Sequence, residues 1–467
     1  MSASPTKRLS LNAFSMNCVS HIQQGLWTRS DTRQTEYKSL DPWLELARIL
    51  ERGCFDALFL ADVVGLYDAY KGGPEVSIRE GMQVPVNDPM LLIPAMATVT
   101  EHLGFAFTSS ILQTHPFTFA RQVSTLDHLT NGRVAWNIVT SYLPNAAASL
   151  GLGDLPGHDA RYDQADEYLD VVYKLWEASW EEDAVLADKE RGIYADPAKI
   201  HQINHVGPHY RVAGPHLCEP SPQRTPLLFQ AGSSERGRRF AAQHAECVFV
   251  ITSRRALLAG KGPVADIRAR AAHYGRRPED IRFYQGLSPV VGGTEAEARA
   301  KAAEYLEGLS TEAALAHLSG SIGVDLGAID PDRPLETFRS EAMTGAVRGL
   351  LENVPPGTRT FRDLARANMA GQFLVGAPEQ VADTLQAFGE AGIDGFNLVY
   401  SVTPGTFVDF IDGVVPVLQE RGALQRDYEP GPLRQRLFGD ARLPERHPAG
   451  QARARLGTDP AAAVYGG

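Results

Sequence analysis

The sequence predicts an α/β fold, a (β/α)8 TIM barrel with insertions. Eight short apolar runs alternate along the chain with amphipathic helical segments, the pattern of buried parallel strands and their crossover helices. No GxGxxG follows the first run, where an open dinucleotide-binding sheet would want it. Polar or small residues recur just past the ends of the runs, at Asp62, Ser109, Ser141, Gly232, Thr252 and Ser401. That is the rim where a barrel keeps its chemistry.

In chain order the expected strands are 9–14, 57–61, 104–110, 134–140, 226–231, 247–251, 281–291 and 395–400. The expected helices are 42–52, 117–129, 161–176, 235–244, 263–274, 295–305, 378–391 and 406–421. A minimal barrel needs about 250 residues, and this chain has 467. The excess falls in three excursions, near 65–89, 182–224 and 309–369. The first and third are lid candidates, because long irregular loops in compact domains usually carry function or are disordered. The barrel domain is expected over residues 1–426. The Pro-, Arg-, Gly- and Ala-rich stretch 427–467 is expected as an extended tail that wraps a neighbouring subunit.

Apolar residues make up 43% and charged residues 22%, an ordinary globular balance, and the net charge is −11. That charge argues against nucleic-acid or anionic-membrane partners, which need clustered Lys and Arg. No signal peptide and no run long enough to span a bilayer is visible, so a cytoplasmic location is expected. Cys18, Cys54, Cys218 and Cys247 are far apart and form no CxxC pair, which speaks for reduced thiols rather than a zinc knot.

Several segments could carry chemistry, each beside a structural alternative. In QAGSSERGRRF, 230–240, a strand ends, a Gly-Ser-Ser turn follows and a helix begins. Ser233 or Ser234 can cap that helix, and its free N–H groups suit a phosphate; an ordinary capped helix reads the same. Asp62, in FLADVVG, can accept hydrogen bonds from a ligand or anchor a loop. Asn137 lies inside an apolar strand, where its amide needs partners; a flavin ring edge or the core itself could supply them. His158 and Tyr162 share one helical face and could hold a phosphate or ribityl chain, or pair structurally. His201, His205 and His209 invite a metal reading, but Gly207 and Pro208 break any helix that would align them and no carboxylate cluster is near in sequence; no metal is expected. No GxSxG elbow and no HExxH occurs.

Longer runs carry a resemblance. They include LNAFSMNCVSHIQQGLW (11–27), RGCFDALFLADVVGLYDAY (52–70), STLDHLTNGRVAWNIVTSYL (124–143), GPHLCEPSPQRTPLLFQAGSSERGRRFAA (214–242) and GIDGFNLVYSVTPGTFVDFIDGVVPVLQERG (392–422). Together they resemble the oxygenase component of two-component, reduced-FMN-dependent monooxygenases, the nitrilotriacetate/dibenzothiophene-sulfone group of the bacterial luciferase-like proteins. The alkane- and dimethyl-sulfide-oxidising members are nearest in pattern, and the resemblance spans about 9–436. It implies a barrel that takes reduced FMN from a separate NAD(P)H:FMN reductase and uses O2 on a small-molecule substrate, as a homodimer or homotetramer. It places FMN contacts at Asp62, Thr108, Asn137, His158, Tyr162 and Ser234, with Ser233 beside them. It places a substrate pocket at Cys18, His21, Tyr67, Gln83 and His317. At Tyr142 the alkane-oxidising members carry His and the dimethyl-sulfide-oxidising members Tyr, which puts an alkane substrate in question. His21 and Tyr142 are the expected catalytic residues, for proton handling or for orienting oxygen. The alternatives are a lyase that cleaves riboflavin to lumichrome, a deazaflavin-dependent dehydrogenase, and a flavin-storing accessory protein.

Overall fold

Parallel strands form a closed ring, β1 (Ser10–Met16), β2 (Ala57–Ala61), β3 (Gly104–Ser110), β4 (Val134–Val139), β5 (Leu227–Gln230), β6 (Cys247–Val250), β7 (Arg282–Val291) and β8 (Gly395–Val399). Each pairs with its sequence neighbours, and β8 returns to β1 through Ser10↔Gly395 to Phe14↔Val399. The computed structural model describes residues 7–335, 358–370 and 373–456. The eight barrel strands are the eight expected ones, with ends shifted by a residue or two. They were readable because both faces of a barrel strand are buried, which leaves near-continuous apolar runs. Along β2, for example, Leu58 and Leu60 pack outward into the helix layer while Phe59 points into the barrel.

Helices among the described residues include α1 (Leu40–Arg52), α2 (Pro116–Leu129), α3 (His158–Ala178), α4 (Glu235–His244), α5 (Pro263–Ala271), α6 (Glu295–Gly308), α7 (Thr311–Ile322), α8 (Phe361–Ala370), α9 (Pro378–Glu390), α10 (Gly405–Glu420), α11 (Leu433–Phe438) and α12 (Pro448–Ala454), with a few shorter turns between them. Local chemistry sets several of their starts. Thr294 and Glu297 form a reciprocal capping box at α6. Ser310 caps α7 by accepting from the Ala313 N–H.

The first and third excursions pack on each other above the barrel rim. Tyr67, Tyr70, Val76 and Met82 share an apolar cluster with Leu315 of α7, with Leu326 and with Leu364 of α8. Lys71 reaches Glu312 at 2.5 Å, and the Lys71 N–H donates to Asp325 at 2.8 Å. A strand, Phe373–Gly376, extends the edge of β7 and was not anticipated. Much of the third excursion, 336–357, lies outside the described residues.

The second excursion forms two short hairpins, Val185–Asp188 with Ile193–Ala195 and His205–Val206 with Arg211–Val212. Two of its histidines, His201 and His205, serve as structural ties. His205 meets Glu167 of α3 at 3.1 Å, and Glu167 also accepts the backbone N–H groups of His209 and Tyr210. His201 meets Glu181 at 2.9 Å.

The stretch from 427 is not an extended arm over its described length, which corrects that expectation. Leu433 and Leu437 of α11 enter the base of the barrel and join Phe59, Phe229 and Tyr284 in its interior cluster. Between them Arg434 pairs with buried Glu246 at 2.7 and 2.9 Å and donates to the carbonyls of Thr225 and Pro226. α12 lies along α3, where Arg453 reaches the fully buried Glu177 at 2.8 Å. A proline- and arginine-rich composition suggested an arm, but these side chains find their complements on the same chain. Among the described residues no helix is long and apolar enough to cross a membrane.

Candidate active site

The C-terminal ends of β2, β3 and β4 place three expected residues in a row. Thr108 and Asn137 are register partners, and the Asn137 amide donates to Thr108 Oγ1 at 2.9 Å. The other half of that amide, Oδ1, is buried with no partner. A buried carbonyl left unmade costs about 1–3 kcal/mol, so it stands ready for a donor from a ligand. Asp62 lies one residue past β2. Burial pushes its carboxyl up to about 6, and the charge of Asp88 adds to that, while hydrogen bonds from Gln113 and Val63 oppose it.

The next strand, with the helices α3 and α4 beside it, builds an anion cradle. β5 ends at Gln230, and α4 starts at Glu235 under the cap of Ser234, whose Oγ accepts the Gly237 N–H at 3.0 Å. Tyr162 of α3 presses its hydroxyl against this turn. A Cβ at Gly232 would lie 2.7 Å from that oxygen and one at Gly237 2.8 Å away, so both positions call for glycine. Gln230 Nε2 lies 3.5 Å from the same hydroxyl, and its Oε1 is a second buried acceptor without a partner. The Arg236 guanidinium sits 5.5 Å over the Tyr162 ring, held by Asp163 and Asp166. His158 opens α3 on the exposed side, its ring 5.2 Å from that of Tyr162. Ser233 is exposed, and its carbonyl accepts from Arg238 at 2.8 Å. A capped helix start, a tyrosine hydroxyl and nearby guanidinium groups make a donor set that fits a phosphate. Orphaned acceptors at Asn137 and Gln230 fit the donors of a flavin.

A second polar cluster lies across the rim, under the paired excursions. The loop after β1 meets the first excursion through isolated bridges, Cys18 with Val86 and Ser20 with Met82. Gln83 takes a left-handed backbone, φ 52°, and joins both sides. Its Nε2 donates to the His21 carbonyl at 3.0 Å, and its Oε1 accepts the Tyr67 hydroxyl at 3.2 Å. The Tyr67 hydroxyl also meets that of Tyr142. Tyr142 follows Ser141, another left-handed residue with φ 59°, and is 47% exposed, so it stands at the mouth. Non-glycine residues in that region cost about 1–3 kcal/mol each and cluster where sites need a fixed geometry. His317 of α7 lays its ring 5.1 Å from that of Tyr67. Gly320, one turn on, makes room: a Cβ there would lie 2.4 Å from the Tyr67 ring. His21 is buried against Phe14, ring centroids 4.7 Å apart, with Nδ1 unpartnered. Burial, with a smaller repulsion from His317, lowers its pKa to about 3; burial lowers that of His317 to about 4. Both rings are therefore neutral near pH 7. Burial pushes the Cys18 thiol well up, so it is no thiolate nucleophile.

All the residues expected from the sequence fall into these two clusters. Three others were missed. Gln230 obeys the logic that exposed Asn137, an amide inside a buried strand, and could have been read. Gln23 could not: it donates to Ser288 at 2.9 Å and accepts from Ser401 at 3.1 Å, tying the β1 loop to the ends of β7 and β8, contacts between residues far apart in the chain. Arg236 was hidden in an arginine-rich helix start.

A closed barrel with a phosphate-fitting cradle, orphaned amide acceptors and a neutral histidine pocket at one rim is the architecture of a flavin-using oxidoreductase. The chain belongs to the luciferase-like monooxygenase family, which it matches over residues 16–395. It is 49% identical to the long-chain alkane monooxygenase of Geobacillus thermodenitrificans, over 96% of this chain and 98% of that one. It is 47% identical to the dimethyl-sulfide monooxygenase of Hyphomicrobium sulfonivorans, over 96% and 94%. The crystal structure of DmoA from Hyphomicrobium sulfonivorans superposes with a TM-score of 0.90 at 47% identity, covering 97% of both chains. A riboflavin lyase structure, with modified FMN and riboflavin, superposes with a TM-score of 0.86 at 37% identity, over 96% of this chain and all of that one.

Proposed function

We propose that this protein is the oxygenase half of a two-component system that draws reduced FMN from a separate NAD(P)H:FMN reductase and uses O2 to oxygenate a small organic substrate, with a compact organosulfide favoured over a long alkane. The observation that carries it is the pairing of the Asn137–Thr108 edge and the Ser234–Tyr162 cradle with a separate polar pocket on the same rim. Reduced FMN, when bound, supplies the electrons that activate O2. Asp62, Thr108 and Asn137 would hold its ring; Ser233, Ser234, His158 and Tyr162 would hold its phosphate and ribityl chain. Cys18, Tyr67, Gln83 and His317 would line the substrate side. His21, neutral and with a free Nδ1, would orient oxygen or accept a proton, and Tyr142 would pass or hold one at its hydroxyl. The Tyr142 phenol, bonded to Tyr67 at the mouth, would bring a second ring to the substrate side, which supports a compact guest such as a dialkyl sulfide. The reading places the protein in the cytoplasm, as a homodimer or homotetramer, with residues 1–426 carrying the chemistry.

The test is aerobic turnover with an FMN reductase and NADH against dimethyl sulfide, a long-chain alkane and riboflavin, with products read by mass spectrometry. An oxygenated or dealkylated sulfide that vanishes without reductase or without O2 is expected. Lumichrome from riboflavin would instead establish the lyase reading, which the likeness to the riboflavin lyase structure supports. Hydrogen peroxide alone would reject every substrate in the panel.

A further inference from the structure

Arg236 is the second residue of α4, directly behind the Ser234 cap. Its guanidinium reaches back to α3, where it donates to Asp163 at 3.0 Å and to Asp166. Both bonds leave from one nitrogen, Nη2. A guanidinium carries five N–H donors in a flat fork. Among the described residues those on Nε and Nη1 are unspent, and they lie beside the Tyr162 ring whose hydroxyl forms the lip of the cradle. Arg238, two residues on, is committed differently, to Asp266 and to the Ser233 carbonyl.

The two carboxylates that hold Arg236 are unequal. Asp166 has a second bond, to His244 Nε2 at 3.1 Å, and the buried His244 ring is held in turn by the Tyr173 hydroxyl at 3.3 Å. Its side chain is 34% exposed. That of Asp163 is 69% exposed, and Arg236 is its one side-chain partner among the described residues. An exposed ion pair contributes little, because water solvates both partners nearly as well. Water can therefore replace Arg236 at Asp163 at little cost, whereas Asp166 is anchored from behind.

We infer that Asp163 is a competitor built into the flavin site: Arg236 exchanges it for the phosphate of FMN while keeping its hold on Asp166, and this exchange sets how strongly the cradle prefers FMN to riboflavin. The inference rests on the flavin reading above. Planar, multiply donating recognition of a phosphate is what an arginine fork supplies. An oxygenase that takes its flavin from a reductase must also give it back, and an internal carboxylate that reclaims the arginine limits how tightly the flavin is held.

Binding of reduced FMN and of reduced riboflavin, both measured without oxygen, tests the exchange. Asp163→Asn should tighten FMN on the order of threefold, the scale of an exposed ion pair, and leave riboflavin unchanged. An FMN affinity that stays the same or falls, as it would if Asp163 only tied α3 to α4, overturns the inference. Arg236→Met should weaken FMN about tenfold or more, the scale of a charge-assisted hydrogen bond, without weakening riboflavin, and Arg236→Lys should recover part of the loss. Equal losses for the two flavins overturn the role in selectivity. In the Arg236→Met background Asp163→Asn should have no further effect on FMN. Tightening there as large as in the native protein would mean that Asp163 merely repels the phosphate, which also overturns the exchange. Failure of the native protein to bind either flavin would overturn the flavin reading itself, an outcome distinct from binding both. Far-UV circular dichroism and the melting temperature establish that the variants are folded. Should Arg236→Met not fold, Asp163→Asn, at an exposed position, still decides by the sign of its effect.

Discussion

His21 and His317 hold their imidazoles near pKa 3 and 4, against an ordinary value of 6.5 in the unfolded chain. Between pH 6.5 and about 4 the unfolded state therefore binds more protons than the native one, and stability falls as the pH falls through that window; above 6.5 this loss is absent. Asp62 has the opposite sign. Its carboxyl titrates near 6 in the fold and at 3.8 outside it, so the native state holds the extra proton between those values and gains stability as the pH falls from 6 toward 3.8. His21→Asn should flatten part of the acid loss in melting temperature. It should also lower kcat about 100-fold or more while leaving reduced-FMN affinity nearly intact, the pattern of a lost neutral hydrogen-bonding group that orients the reacting oxygen. Anaerobic flavin titration and steady-state kinetics separate the two effects. Asp62 accepts best when ionised, so flavin affinity should weaken as the pH drops through about 6, and Asp62→Asn should remove that step. A titration of the variant that keeps the step would assign it to another group. At this scale the sequence exposed what sits where it should not, an amide in an apolar strand or a carboxylate at a strand end. It did not expose Gln23, whose partners lie more than 260 positions away.

Among the elements, α7 and the turn into α4 carry the sharpest tests. Gly320→Ala would bring a methyl to 2.4 Å from the Tyr67 ring. Alanine favours a helix by about 0.5–1 kcal/mol over glycine, so any loss reports packing and not helix propensity. The Tyr67–Gln83–Tyr142 connections should loosen, raising KM for the organic substrate with little change in flavin affinity. Gly237→Ala should do the reverse, because its methyl would meet the Tyr162 hydroxyl at 2.8 Å; flavin binding followed by fluorescence should weaken. The barrel strands and their flanking helices were legible because burial on two faces and on one stripe leaves different periodicities in the sequence. α7 was not, since TEAALAHLSGSI is built from small residues with little contrast between faces. The strand Phe373–Gly376 was too short to leave a pattern. The tail was misread because composition reports how a segment would behave alone, and α11 finds its partners inside the barrel.

For the molecule as a whole, the base of the barrel is sealed by its own later sequence. Arg434→Leu would strand Glu246 as a buried, unpaired charge, and breaking one side of such a pair costs about 3–5 kcal/mol. Urea unfolding should show that loss as a lower midpoint, and Arg434→Leu with Glu246→Leu should recover much of it. A double variant as unstable as the single one would mean that the remaining bonds of Arg434 matter more than the ion pair. The same seal has a consequence for how the protein is made. β1 has no partner on one side until β8 exists, and the interior stays open below until residues 433–438 arrive. At about 5–20 residues per second, a ribosome needs roughly 20–90 s to reach that point. For all of that time the nascent chain carries an unfinished sheet edge and an uncovered apolar lining, so chaperone dependence during translation should persist until residues 433–438 have emerged.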